Sequence, residues 1–419
     1  MEKLLILRNI KGSPEVTKLL TQTNQLELAP GVNGRMEPLL RHLQTKIGST
    51  MEAINSSGRS VFIAGPDWCR ENSDKAGTAH ARVIVDAYGS SYALPNKNPD
   101  ANKTAIDDGQ LDMFLMFDER EKKPIGTACM VMNSGWAELG RAASLGRVGN
   151  SLIQDLRIIH WLTDEKLSKK FHSLFATLRT APDRNIGTPE KSEIMRGGQA
   201  ISHIWANMPE VKVAGFGPLY KKHGELEQFA FAFITREELS VPGNLWIENG
   251  IDLQFVKAWL KHYGLKPVTN NPGIEKESGF SFKVSFPPQE SGITEFVHGE
   301  INLTEGQGMP LWKAISTLET AQVPFIQFPV PVDLDTRQLQ QKLSRERFVA
   351  FQFTPGIAGV EGPKLWFGRN PVRLENHIVP TFWQKDKEGR NPFWNKELAA
   401  HADRIFESLQ FKIEMIRDG

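Results

Sequence analysis

The sequence predicts a mixed α/β protein in which amphipathic helices alternate with short apolar strands. Its 419 residues, 40% of them hydrophobic, supply enough apolar material for two or three domains with buried cores. Residues 36–54 place apolar side chains three and four positions apart, the spacing of a helix that packs on a sheet. Residues 113–118 and 125–132 are apolar runs separated by a charged turn, which predicts a β-hairpin.

The other elements follow from the same periodicities and from glycine and proline punctuation. Strands are predicted at residues 1–11, 113–118, 125–132, 136–145, 172–180, 211–216, 228–234, 280–286, 324–332, 348–354 and 364–368. Helices are predicted at residues 36–54, 79–88, 151–162, 193–207, 252–263, 311–321, 337–347 and 395–409. The run 61–64 is apolar, whereas 71–78 is predicted to be an exposed loop and 99–110 a polar, turn-rich stretch.

The strongest linker signal is the Val-Pro-Gly-Asn segment at residues 241–244. It predicts three units: an N-terminal strand and helix segment at residues 1–78, a core at 79–238 and a C-terminal domain at 244–419.

Charge and cysteine content exclude several classes of protein. Fifty Lys and Arg against 49 Asp and Glu leave a formal charge of +1, so no global field favours nucleic acid or anionic lipid. The two cysteines, Cys69 and Cys129, form no CxxC or metal-ligand pattern, which argues against a disulfide scaffold and a structural zinc and favours a reducing cytoplasm. No run of 18 apolar residues occurs, so a soluble protein without a membrane span is expected.

The common catalytic signatures are also missing from the sequence. It contains no GxSxG, HExxH, GxxxxGK[ST] or kinase motif, and no GxGxxG after a strand. What remains is the order helix, strand, charged turn, strand, strand, glycine-rich turn, helix, strand between residues 79 and 180.

Four segments within this region carry a family resemblance. The segment YGSSY (88–92) closes a helical region, and PIGTA (124–128) and AELGRAA (137–143) are similar to the third and fourth strands of the GCN5-related N-acetyltransferase (GNAT) superfamily. The segment RVGN (147–150) falls where that family has its pyrophosphate loop. Residues 325–367 resemble the last part of longer chains in one branch, which implies a second, degenerate GNAT-like copy in the C-terminal domain.

The resemblance implies transfer of an acyl group from acyl-CoA to an amine, with no metal. A glycine-rich turn at the start of a helix presents free N–H groups and the positive end of the helix dipole, which together bind phosphate. The residues that the resemblance places at the coenzyme A diphosphate are Leu145, Gly146, Arg147, Val148, Gly149, Asn150 and Ser151. The alternative is a plain strand-to-helix turn. The interpretation requires that this corner opens a helix beside two strands that separate to admit a thioester arm.

Glu138 is the candidate general base, since an attacking amine must lose a proton. The alternative is a solvated carboxylate or one paired with Arg141. Because side chains alternate along a strand, the two would lie on opposite faces of an unbroken strand, so a bulge or a pairing is predicted. Tyr220 is the candidate acid for the leaving thiolate, with a packed aromatic as the alternative reading.

Two further hypotheses stay open at this stage. The family's loop has small residues where this chain has Asn150 and Leu152, so the donor could instead be an acyl group on a carrier protein or an aminoacyl-tRNA in specialised metabolism. That hypothesis predicts a basic surface patch near Arg147, Arg157 and residues 166–170. The other hypothesis is a catalytically inactive ligand-binding protein that kept the fold. In the first reading the acceptor is a small-molecule amine.

Overall fold

A mixed sheet of thirteen strands organises the part of the chain that the structure, a computed structural model, describes. The described residues are 8–88, 97–132, 136–145, 150–179, 212–222, 225–236, 238–240, 256–257, 260, 265, 280–285, 298–304, 307–321, 325–332, 336–346, 348–354, 356–357 and 362–369.

Fifteen strands and nine α-helices are defined in those residues. The strands are β1 Ile10–Gly12, β2 Val61–Ala64, β3 Leu111–Asp118, β4 Lys123–Met132, β5 Trp136–Ser144, β6 Ser173–Arg179, β7 Lys212–Lys222, β8 Glu225–Thr235, β9 Leu239–Ser240, β10 Ser281–Ser285, β11 His298–Thr304, β12 Phe325–Pro331, β13 Val349–Thr354, β14 Gly356–Ile357 and β15 Lys364–Arg369. The helices are α1 Pro14–Thr21, α2 Glu37–Ser56, α3 Pro66–Glu71, α4 Ser73–Tyr88, α5 Pro99–Asp107, α6 Asn150–Thr163, α7 Glu165–Lys170, α8 Leu311–Thr320 and α9 Arg337–Arg345.

The large sheet has the strand order β1-β2-β3-β4-β5-β6-β8-β7-β13-β15-β12-β11-β10, and β9 and β14 form a separate two-stranded ladder. Neighbours from β2 to β5 are antiparallel, β5 and β6 are parallel, and β8 lies between β6 and β7. The fold is therefore the predicted mixed α/β class, with a mixed sheet.

Helices cover both faces of the N-terminal part of the sheet. Alternate residues of β3 divide between two cores, as the period of a strand requires: Phe114 packs with α2 and α6, and Met113 with α3, α4 and α5. The helix predicted at 36–54 is α2, whose inward-facing apolar residues are Leu39, Leu40, Leu43, Ile47, Met51 and Ile54. A separate core joins α8 and α9 to strands β10–β13 and β15.

Two polar stretches were predicted wrongly. Residues 71–78 are not an exposed loop, because α4 begins at Ser73 and buries the small residues Ala76 and Gly77 against α5. Residues 99–110 begin with α5, whose first turn is capped by Asn98: its Oδ1 accepts from Asp100 N at 2.9 Å and Ala101 N at 3.3 Å. Helices that bury small residues leave little trace in an apolar pattern.

The predicted hairpin is confirmed as β3 and β4, and the strand at 136–145 as β5. The helix at 151–162 is α6, and β11 is a strand that the sequence analysis does not predict. The apolar run at 4–7, the helices at 193–207 and 395–409 and the linker at 241–244 lie outside the described residues. The three-unit division stays a prediction; residue 79, its first boundary, falls inside α4.

Candidate functional site

The parallel strands β5 and β6 separate part-way along their length. They pair over three successive residues, the last pair being Glu138 with Phe175. Beyond that pair β5 stays bound to β4 as far as Ser144, and β6 stays bound to β8 as far as Arg179, but β5 and β6 no longer pair with each other. We call the space between residues 139–144 of β5 and 176–179 of β6 the β5–β6 gap. The separation that the sequence interpretation requires is thus present.

A β-bulge interrupts β5 where it borders this gap. Its register with β4 shifts between the pair Cys129 with Gly140 and the pair Thr127 with Ala143. Arg141 sits in the bulge with φ of 49°, a left-handed conformation that is costly for a long side chain. Strain of this kind is characteristic of functional sites.

The bulge places Arg141 and Glu138 on the same face of the sheet. Arg141 Nη1 donates to Oδ1 of Asn102 on α5 at 3.3 Å, and Asn102 is fully buried. Ala137 packs on the opposite face, toward α6, so its neighbour Glu138 points toward α4 and α5. The spacing of the two charged residues predicted a bulge or a pairing, and the structure contains the bulge.

Arg157 of α6 holds the bulge in place. Its Nη1 donates to the carbonyl oxygen of Cys129 at 2.5 Å and to that of Gly140 at 3.2 Å, one on each strand of the pair that precedes the bulge. The side chain is buried, and this burial lowers the pKa of Arg157 to about 10 even though Asp155 and Glu138 lie near enough to favour its charge. The carrier or tRNA hypothesis placed Arg157 in a basic surface patch. That placement was wrong, because the guanidinium is buried and hydrogen-bonded to two backbone carbonyls.

Glu138 lies at the base of the gap, at the last residue pair before the strands part. Burial raises the pKa of its carboxyl group, while the positive charges of Arg141 and Arg157 act in the opposite direction. A Cβ built on Gly140 would lie 3.5 Å from the Glu138 carboxyl carbon, in ordinary van der Waals contact, so this carboxylate lies over Gly140 on the same face of β5. A half-buried carboxylate with a raised pKa is suited to accept a proton near neutral pH.

A buried polar cluster beside Glu138 was not anticipated from the sequence. Nδ1 of His80 on α4 lies 2.8 Å from Oγ1 of Thr127 and 3.8 Å from Sγ of Cys129. Burial, aided by Arg141, lowers the pKa of His80 to about 3, and burial raises the pKa of Cys129 to about 11. The imidazole is therefore neutral and the thiol protonated at neutral pH, so Cys129 is not an activated nucleophile.

One buried nitrogen atom of this cluster is not satisfied by a hydrogen bond within the described part of the chain. Nε2 of His80 has no hydrogen-bond partner among the described residues. The only sequence signal for this cluster is a histidine set among alanines on an apolar helix stripe, which is the usual appearance of a packed histidine.

The predicted phosphate loop is described only at its two ends. Leu145 is exposed at the end of β5, and α6 begins at Asn150 and Ser151, where a phosphate-binding helix terminus was expected. Residues 146–149 lie outside the described residues. Tyr220 lies on β7, opposite Glu227 of β8, on a strand that does not border the gap. The roles given to Tyr220 and to the loop stay predictions.

Two observations concern metals and membranes. In the described residues, no three His, Cys, Asp or Glu side chains group in a way that could hold a metal ion. None of the helices given above combines the length and the apolar character that crossing a bilayer requires.

The mixed sheet and the β5–β6 gap agree with what the sequence resemblance implies. Solved structures that match part of the chain include acetyltransferases. A ribosomal-protein-S5-alanine acetyltransferase from Vibrio fischeri is 12% identical and matches 39% of this chain and 90% of its own, with a TM-score of 0.28.

A ribosomal-protein-alanine N-acetyltransferase from Brucella melitensis is 16% identical over 39% of this chain and 95% of its own, with a TM-score of 0.27. An aminoglycoside 6'-N-acetyltransferase complexed with coenzyme A is 11% identical over 40% of this chain and 95% of its own, with a TM-score of 0.28. Matches of this strength carry no weight for function. No family model matches the sequence, and no curated protein matches it significantly.

Proposed function

We propose that the protein is an N-acyltransferase that moves an acyl group from acyl-CoA to a small-molecule amine by direct attack. The observation that carries the proposal is the β5–β6 gap, which ends the pairing of two parallel strands at a carboxylate. An extended arm with amide groups can hydrogen-bond along the edge of a strand as an added strand does.

The pantetheine arm of acyl-CoA is such a group, and it would enter the gap with its thioester toward Glu138. The start of α6 at Asn150 and Ser151 would receive the diphosphate, through its free N–H groups and the helix dipole. The bulge at Arg141 turns backbone groups of β5 out of the regular ladder, where they can polarise the thioester carbonyl.

Glu138 would accept the proton that the amine loses as it attacks. Its raised pKa brings the carboxylate nearer to the basicity that proton transfer at neutral pH requires. The thiolate then leaves with the electrons of the broken C–S bond, so that no covalent enzyme intermediate forms. Cys129 is buried and protonated, so its thiol is not a competing nucleophile.

The test combines binding with turnover. Coenzyme A and acetyl-CoA are expected to raise the melting temperature, because a ligand that binds only the folded state stabilises it. Glu138→Gln is expected to keep that shift and to lower kcat about a hundredfold, the usual loss for a missing general base. Glu121→Gln, at an exposed carboxylate on the β3–β4 turn, is the matched control and should change neither.

Two results would contradict the proposal. The absence of a melting shift with coenzyme A, acetyl-CoA and longer acyl-CoAs would shift support to a carrier-borne or tRNA-borne donor. Binding without any acyl transfer to a panel of amines, in wild type and variant alike, would support the inactive ligand-binding protein.

A further inference from the structure

Beyond β1–β3, the sheet consists of two five-strand halves that have the same order when each is followed toward the middle. Starting from β4, the order β4-β5-β6-β8-β7 leads to the centre, and starting from β10, the order β10-β11-β12-β15-β13 leads to the same place. The pairings agree in direction at every step: antiparallel, parallel, antiparallel, antiparallel. The two halves meet where β7 pairs with β13.

The second half contains its own separated parallel pair. β11 and β12 pair over three successive residues, the last pair being Glu300 with Gln327. Beyond it β11 stays bound to β10 as far as Thr304, and β12 stays bound to β15 as far as Pro331. We call the space between residues 301–304 and 328–331 the β11–β12 gap. Helix α8 connects its two strands, as α6 connects β5 and β6.

A carboxylate occupies the same position at the base of both gaps. Each strand carries a small residue, a glutamate and an aliphatic residue in succession: Ala137-Glu138-Leu139 on β5 and Gly299-Glu300-Ile301 on β11. The small residue faces the connecting helix in both halves, since a Cβ on Gly299 would lie 2.4 Å from Leu318 of α8. Both glutamates therefore point to the face opposite the connecting helix.

The two gaps differ in the features that we assign to catalysis. β10 and β11 keep an unbroken register, and the described residues with positive φ other than glycine are Lys122 and Arg141 only. Oε2 of Glu300 accepts a hydrogen bond from Nε2 of Gln327 at 2.6 Å, a neutral partner in place of the arginines around Glu138. What the second gap retains, among the described residues, is a stretch over which β11 and β12 do not pair with each other and which begins at a carboxylate.

We propose that the β11–β12 gap is a second binding site for an extended, amide-bearing arm of the pantetheine type, so that one chain binds two such arms. The choice of this ligand class rests on the proposed function, because the first gap has the same strand geometry. Binding would occur by addition of the arm to the edges of β11 and β12.

Disulfide exchange with coenzyme A disulfide tests each gap separately. Cys69 and Cys129, the two native cysteines, are buried and their burial raises the pKa of both thiols, so an introduced cysteine is the reactive one. In Glu300→Cys the new thiolate attacks the disulfide, forms a mixed disulfide with one coenzyme A and releases the other as its thiolate. Glu138→Cys probes the first gap, and Lys283→Cys, on the exposed face of β10, probes simple accessibility.

The measurement is the labelling rate by intact mass, relative to the rate with bis(2-hydroxyethyl) disulfide. Binding raises the local reagent concentration, so this ratio is expected to be on the order of tenfold higher for Glu300→Cys than for Lys283→Cys, and desulfo-coenzyme A should abolish the difference. Cooperative urea unfolding of each variant verifies that it is folded. Wild type is expected to bind two desulfo-coenzyme A molecules per chain by equilibrium dialysis.

The outcomes separate the two proposals. The second site is overturned if the ratio for Glu300→Cys equals that for Lys283→Cys and one molecule binds per chain. If the ratio for Glu138→Cys is enhanced in the same experiment, the proposed function stands. Enhancement at Glu300→Cys alone supports the second site and contradicts a donor in the first gap. No enhancement in either variant overturns both.

Discussion

Replacing Arg157 by methionine is expected to destabilise the fold and loosen the bulge at Arg141. The substitution removes two hydrogen bonds from a charged donor, to the carbonyls of Cys129 and Gly140, and such bonds contribute about 1.5–3 kcal/mol each. Methionine also removes a guanidinium whose burial is unfavourable, which offsets part of this sum. We expect a net loss of about 2–4 kcal/mol in the free energy of unfolding.

Urea denaturation followed by circular dichroism measures this loss. Arg82→Met is the matched control, because Arg82 is exposed on α4 and lies 3.7 Å from Asp86, an arrangement that contributes about 0.5 kcal/mol or less. A loss below about 1 kcal/mol for Arg157→Met, or one equal to that of the control, would refute the idea that Arg157 braces the bulge.

The same variant has a second readout in the pH dependence of turnover. Arg157 lowers the pKa of Glu138 against the larger effect of burial, so its removal raises that pKa further. A general base must be unprotonated to act, so the acidic limb of the kcat/KM profile is expected to move to higher pH. An acidic limb that does not move would show that the ionisation of Glu138 does not control kcat/KM.

Three other perturbations test the packing around the site, each by urea denaturation. Gly77→Ala places a methyl group 2.6 Å from a backbone carbonyl of α5 and is expected to lower the free energy of unfolding by about 1–3 kcal/mol. Gly48→Ala, which meets nothing within 4 Å, should raise it by about 0.5–1 kcal/mol. Equal effects of the two substitutions would contradict the close crossing of α4 and α5. Burial lowers the pKa of His80 to about 3, so its contribution to stability is present above pH 6.5 and is lost as the pH falls. His80→Gln should therefore gain about 3 kcal/mol on wild type between pH 7 and pH 4, and parallel curves would contradict this. Lys46→Met leaves the buried Asp155 without its 2.9 Å ion pair and should lower the free energy of unfolding by about 3 kcal/mol. Adding Asp155→Leu should restore most of this loss. A double variant that is no more stable than Lys46→Met would show that the ion pair is not the cause.

Elements with a strong apolar period could be predicted from the sequence, and those built on small or polar residues could not. The leucine and isoleucine spacing of α2 and the two apolar runs of β3 and β4 mark those elements clearly. The first turns of α4 bury only Ala76 and Gly77, so they present no apolar stripe. β11 alternates polar with apolar residues around Ile301, which is the pattern of a half-buried strand, so here a signal was present and was missed.

Part of the candidate site could likewise be predicted from the sequence, and part could not. The spacing of Glu138 and Arg141 predicted a bulge or a pairing, and it is the bulge that puts both on one face. The role of Arg157 has no local signal, since its two acceptors come from different strands. His80 meets Thr127 across 47 positions, a contact that only the folded sheet creates.

The position of β8 between β6 and β7 has a consequence for biosynthesis. In the part of the chain that the structure describes, β6 is covered on the edge away from β5 by β8, which ends at residue 235. The pairing of β7 with β13 must await β13, which begins at residue 349. Pairings of such long sequence separation form slowly, and an uncovered strand edge is prone to join other chains. On the ribosome, the nascent chain therefore carries an unprotected β6 until β8 emerges, and early termination before that point is expected to yield aggregates rather than a smaller folded unit.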